Sequence, residues 1–217
     1  RSISSNPSYV DIGCGYGDFL EKVRTLLPNA TGIEKEGGIF YLFNIVKPDY
    51  IWLMSVEGSS QPVDVAFVGW MEPGQDFRRL VARCAKCVIT TFDAGGQCGI
   101  NGGCEYDEFG YERIASWRTP SWIDVNTELM NRYYTPSLDA IKKELLVGLR
   151  AAHNFWYVYT KPDISGAVRS SLKARLGKEN ASDRYDFECV LDEVGFRYKE
   201  ELPVLANKRK LWEVVFD

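Results

Sequence analysis

The chain has 217 residues, 45% of them hydrophobic and 26% charged, with a net charge of −4. This supplies one substantial core and predicts a single domain over residues 1–217. The acidic balance gives no general attraction to a phosphate backbone, no stretch approaches a membrane span, and no secretory leader is read.

The first predicted element is a strand, Tyr9-Val10-Asp11-Ile12, which runs into glycines at positions 13, 15 and 17. Phe19, Leu20, Val23, Leu26 and Leu27 then fall on one face of a 3.6-residue period and predict a helix that ends at Pro28-Asn29. Glycine suits such a turn because it accepts positive φ and lets a ligand approach the backbone. The N–H groups of the first helical turn are expected to point at that ligand. Ala30-Thr31-Gly32-Ile33-Glu34 predicts a second strand ending in a carboxylate, near the spacing at which an acidic side chain meets ribose hydroxyls.

A buried helix is expected over 37–46, closed by Pro48, and a third strand over Tyr50–Val56. Val63–Gly69 predicts a fourth strand, largely apolar as buried parallel strands are, with the exit Trp70-Met71-Glu72-Pro73-Gly74 on the carboxyl edge. A helix over 75–84 leads to a fifth strand, Cys87–Phe92. Alternating strands and helices predict parallel strands joined by right-handed crossovers.

The pattern breaks after Asp93, where five glycines lie between Ala94 and Cys104. An aromatic stretch with Tyr106, Tyr111, Trp117 and Trp122 follows, then a helix over 137–149, a surplus strand Phe155–Tyr159 and a helix with Val168, Leu172 and Leu176 inward. Residues 94–180 are therefore expected to form an insert, with 94–135 as a lid over the substrate. A helix over 182–194 and two strands, Phe196–Tyr198 and Leu211–Phe216, complete the count.

The D-x-G-x-G-x-G pattern from Asp11 to Gly17, with Glu34 closing the next strand, resembles motif I of the class I S-adenosylmethionine-dependent methyltransferases. The resemblance covers 9–92 and extends to 182–217. It implies a three-layer α/β/α sandwich around a mostly parallel, seven-stranded Rossmann-like sheet, with an antiparallel terminal strand and an insert after strand 5. It also implies S-adenosylmethionine as cofactor, held by Asp11, Gly13, Cys14, Gly15, Gly17, Glu34, Ser55, Glu57 and Trp70. Glu34 would take the ribose, and Ser55 or Glu57 would lie near the adenine.

Glu72 is the candidate catalytic base at the methyl acceptor, and its rival role is to cap the helix after Pro73. His153, the chain's one histidine, has a suitable pKa for a base but follows a predicted helix, where a surface or capping role is the alternative. The expected acceptor is a small molecule, with RNA, tRNA or protein as alternatives. A non-catalytic, cofactor-binding subunit is a further reading, and the glycine spacing argues against a nicotinamide enzyme. Cys84, Cys87, Cys98 and Cys104 could form a zinc site by spacing. Free thiols in a reducing cytoplasm, with no metal, are the expectation, because Cys87 opens a strand and points away from Cys84.

Overall fold

The computed structural model describes residues 2–34, 62–71, 74–93, 104–119, 154–176 and 214–217. In chain order these form β1 (Tyr9–Ile12), α1 (Asp18–Arg24), β2 (Thr31–Ile33), β3 (Val63–Val68), α2 (Arg78–Cys84) and β4 (Ala85–Asp93). A 3-10 turn at Asp107–Phe109, β5 (Glu112–Thr119), β6 (Asn154–Thr160) and α3 (Pro162–Leu176) follow. Among the described residues, six strands make one sheet in the order β2-β1-β3-β4-β6-β5.

β1 pairs in parallel with β2 and β3, and β3 with β4. β6 is antiparallel to both its neighbours, β4 and β5. The result is a mixed α/β, Rossmann-like arrangement. The carboxyl ends of β1, β2, β3 and β4 share one sheet edge, where such sheets take their ligands.

Burial follows the two-residue period of the strands. Val10, Ile12, Ala66, Val68 and Val88 form one cluster with Val81 and Ala82 of α2. Tyr9 and Phe67 form another with Leu20 of α1, and Cys87, Ala115 and Val158 a third with Val168 of α3. Opposite the ligand edge, Asp64 ties three strand starts together. Its carboxylate accepts from the Ser8 amide at 3.0 Å and from Lys86 Nζ at 2.7 Å, while its own amide donates to Ser8 Oγ at 2.9 Å.

One expectation is corrected. The range 94–180 is not wholly an insert, because β5, β6 and α3 lie in it and both strands belong to the main sheet. Tyr106 and Tyr111 are also core rather than lid. Tyr106 is fully buried, and the Tyr111 hydroxyl donates to the carbonyls of Ala82 and Ala85 at 3.2 and 2.5 Å. Arg78 of α2 fastens this stretch by donating to Asp76 and to the Glu105 carbonyl and by pairing with Glu108 at 3.1 Å.

Among the described residues, the strand that runs antiparallel to its neighbours is β6, between β4 and β5. Cross-strand contacts hold it there, with Trp156 opposite Trp117 and their rings stacked at 5.6 Å. Of the two C-terminal strand candidates, 196–198 and 211–213 lie outside the described residues. Val215 makes an antiparallel bridge with Ser116. The predicted strand at 50–56 and the helices at 37–46, 137–149 and 182–194 also lie outside the described residues. No helix among the described residues is long and apolar enough to cross a membrane.

Candidate functional site

Asp11, Gly13, Cys14, Gly15, Gly17 and Glu34 come together where β1 and β2 end. Gly13, Gly15 and Gly17 have φ of 76°, 54° and 85°, the left-handed region that a side chain disfavours. Gly17 is the N-cap of α1, so the chain turns sharply from sheet into helix. A Cβ built on Gly13 or Gly15 meets nothing within 4 Å, so the space above the turn is open.

The backbone donors differ from expectation. The Gly13 and Cys14 amides both donate to the Ile33 carbonyl, at 2.8 and 3.0 Å, and the Gly17 amide donates to the Cys14 carbonyl at 2.9 Å. The Gly15 amide donates to Glu34 Oε2 at 2.7 Å. Three of these N–H groups are thus spent on fixing the turn to the end of β2, and the Gly17 amide closes the turn on itself. Helix α1, seven residues long, is too short for its N-terminus to serve as an anion site by itself.

Asp11 lies beneath the turn and is 2% exposed. Burial, and then the nearby Glu34 carboxylate, push its carboxyl up to about 7. Burial, with Asp11 and Glu34 adding to it, likewise pushes the Cys14 thiol up to about 12, so Cys14 is a packing group and not a nucleophile. Its sulfur and Leu20 fill the space beside Gly32, where an added Cβ would come within 2.7 Å of both.

Trp70 stands across the edge, two residues beyond β3. Its φ of 47° is the one positive value among the described non-glycine residues, and its amide donates to Thr91 Oγ1 of β4 at 2.6 Å. The residue is 51% exposed. It meets Trp156 nearly at right angles, with centroids 5.9 Å apart. Phe67 stacks on Trp156 at 5.6 Å, and Phe19, from the first turn of α1, contacts Phe67 at 4.7 Å. This aromatic row links the glycine turn to Trp70. Sequence reasoning singled out Trp70 but missed the row, whose members are separated by up to 137 positions between Phe19 and Trp156.

Ser55, Glu57, Glu72, Cys98 and His153 lie outside the described residues. Cys14, Cys84, Cys87 and Cys104 are free thiols. Cys84 donates to the Val81 carbonyl at 3.3 Å, Cys87 packs with Ile114 and Cys104 with Tyr106. Among the described residues, no group of three or more His, Cys, Asp or Glu could hold a metal.

No family model matches the chain, and no curated protein matches its sequence. Many of the solved structures it resembles are class I S-adenosylmethionine-dependent methyltransferases. One is a putative sarcosine dimethylglycine methyltransferase from Galdieria sulphuraria, 10% identical, covering 75% of this chain and 81% of that one, with a TM-score of 0.43. Another is coclaurine N-methyltransferase bound to N-methylheliamine and SAH, 12% identical, covering 73% and 69%, with a TM-score of 0.45. A third is the [4+2]-cyclase SpnF, 14% identical, covering 74% and 76%, with a TM-score of 0.47.

Proposed function

We propose that the chain is an S-adenosylmethionine-dependent methyltransferase with a small-molecule acceptor. The observation that carries this reading is the joined pair at the sheet edge, an open glycine turn whose Gly15 amide holds Glu34 at 2.7 Å. A carboxylate accepts several hydrogen bonds, so Glu34 can take ribose hydroxyls while still tied to the turn. Glu34 and Asp11 also place acidic groups where a sulfonium cation would lie, which suits a positively charged cofactor. The full sheet on this reading has seven strands between two helical layers. The free thiols fit a reducing, cytoplasmic setting.

When bound, S-adenosylmethionine supplies an electrophilic methyl group and leaves as a neutral sulfide. The chain's own contribution is positional: the glycine turn and Glu34 fix the cofactor, and the acceptor is held in line with the methyl. An acceptor hydroxyl or amine gives up one proton as its new O–C or N–C bond forms. Glu72, two residues past Trp70, is the candidate to receive it.

Incubating the protein with methyl-labelled S-adenosylmethionine and a fractionated cell extract tests this reading. Label in the small-molecule fraction is expected. Label in RNA or protein would replace the acceptor class, and cofactor binding without any labelled product would leave a non-catalytic binding subunit.

A further inference from the structure

The geometry points to Trp70 as an acceptor-binding and specificity residue, and to a planar aromatic or heteroaromatic ring as the acceptor. This inference rests on the methyltransferase reading and deepens it. It moves Trp70 from the cofactor contacts that the sequence implied to the acceptor side.

Three observations combine. First, a bulky residue at φ 47° is an outlier, and such backbone persists where the surroundings enforce it. Here the 2.6 Å bond from the Trp70 amide to Thr91 Oγ1 does so, fixing the chain as it leaves β3. Second, Trp156 has Phe67 stacked at 13° and Trp117 at 11°. The Trp70 ring stands at 84° to that stack and is not part of it. Among the described residues no ring stacks on the indole face of Trp70, in accord with its 51% exposure. Third, the same row ends at Phe19, which is 46% exposed and follows the glycine turn by two residues. Flat apolar surface therefore borders the cofactor edge at both ends of the row.

A packing role for Trp70 does not account for this arrangement. A residue kept for packing gains nothing from a left-handed backbone that leaves half of it exposed to solvent. A flat ring laid on the indole face gains stacking that an aliphatic group of equal size does not. Its hydroxyl or ring nitrogen would be the methyl-accepting atom.

The test uses the full chain saturated with S-adenosylhomocysteine and titrated calorimetrically with catechol and quinoline, and with cyclohexanol as the non-planar control. Saturable binding of either flat ring and none of cyclohexanol is expected. Trp70→Gly should weaken ring binding by about tenfold or more, the scale of a lost stacking contact. It should leave S-adenosylhomocysteine affinity unchanged and Tm equal to or above that of the wild type, because glycine relieves the backbone strain. Equal binding of cyclohexanol, no ring binding, ring binding unaltered in Trp70→Gly, or a fall in Tm would each overturn the inference. Absence of S-adenosylhomocysteine binding in the first step would instead overturn the methyltransferase reading beneath it.

Discussion

Glu34 closes the glycine turn: its Oε2 accepts the Gly15 amide at 2.7 Å, joining the end of β2 to the loop that follows β1. The acidic residue and the glycines therefore act as one unit. The contact leaves Asp11, under the turn, facing a second carboxylate.

Asp11 makes the ligand-free protein sensitive to pH near neutrality. Its carboxyl sits at about 7, raised from 3.8 by burial and then by Glu34, with Tyr9 and Cys14 coupled to the same charge. The native state thus holds a proton that the unfolded chain releases. Stability is full below about pH 4, declines as pH rises toward 7 and levels off above it. Urea midpoints of the wild type should fall between about pH 5 and pH 8, whereas those of Asp11→Asn should stay flat, the gap reaching on the order of 2 kcal/mol. A bound sulfonium favours the ionised carboxyl, so cofactor affinity should strengthen as pH rises through the same range. Parallel urea profiles for the two proteins would contradict this.

Gly32 is a packing requirement of the site. An added Cβ would come within 2.7 Å of both Cys14 Sγ and Leu20 Cδ2. Leu20 is fully buried and has little room to give. Gly32→Ala should lower stability by about 1–3 kcal/mol, the usual cost of overpacking, and should weaken cofactor binding by displacing the turn. Thermal melts with and without cofactor measure both effects.

Asp64 secures the opposite edge. Burial alone would raise its carboxyl, but the hydrogen bonds from Lys86 and the Ser8 amide outweigh that and hold it below the usual carboxylate range. A depressed carboxyl adds stability above its unfolded pKa and loses it as pH falls through the folded one. Asp64→Ala should cost about 1.5–3 kcal/mol at neutral pH, the scale of hydrogen bonds to a charged group. The deficit should shrink in acid below about pH 4. Denaturation at neutral and acidic pH compares the two proteins directly.

Much of the first half of the fold was legible because local signals agreed. Apolar runs ended in glycine at β1, helical spacing followed in α1, and the strands read at Val63–Gly69 and Cys87–Phe92 fall on β3 and β4. β5 was not legible, since Glu112, Arg113 and Arg118 interrupt its apolar alternation. Its place is fixed by pairing with β6, a contact between residues far apart in sequence. The acidic and glycine members of the site were legible from spacing. Their hydrogen bond was not, because Glu34 could equally have pointed at solvent. Trp70 was visible as an exit residue, yet its left-handed backbone depends on Thr91, which nothing local to Trp70 announces.

Calorimetric titration of the wild type, Glu34→Ala and Glu34→Gln with S-adenosylmethionine tests the central claim most directly. One saturable site is predicted in the wild type. Glu34→Ala should lose about 1.5–3 kcal/mol of affinity, as expected for charge-assisted hydrogen bonds. Glu34→Gln, which keeps an acceptor for the Gly15 amide, should fall between the two. Absence of saturable binding by the wild type, tight binding of NAD in its place, or equal affinity in all three proteins would contradict the account.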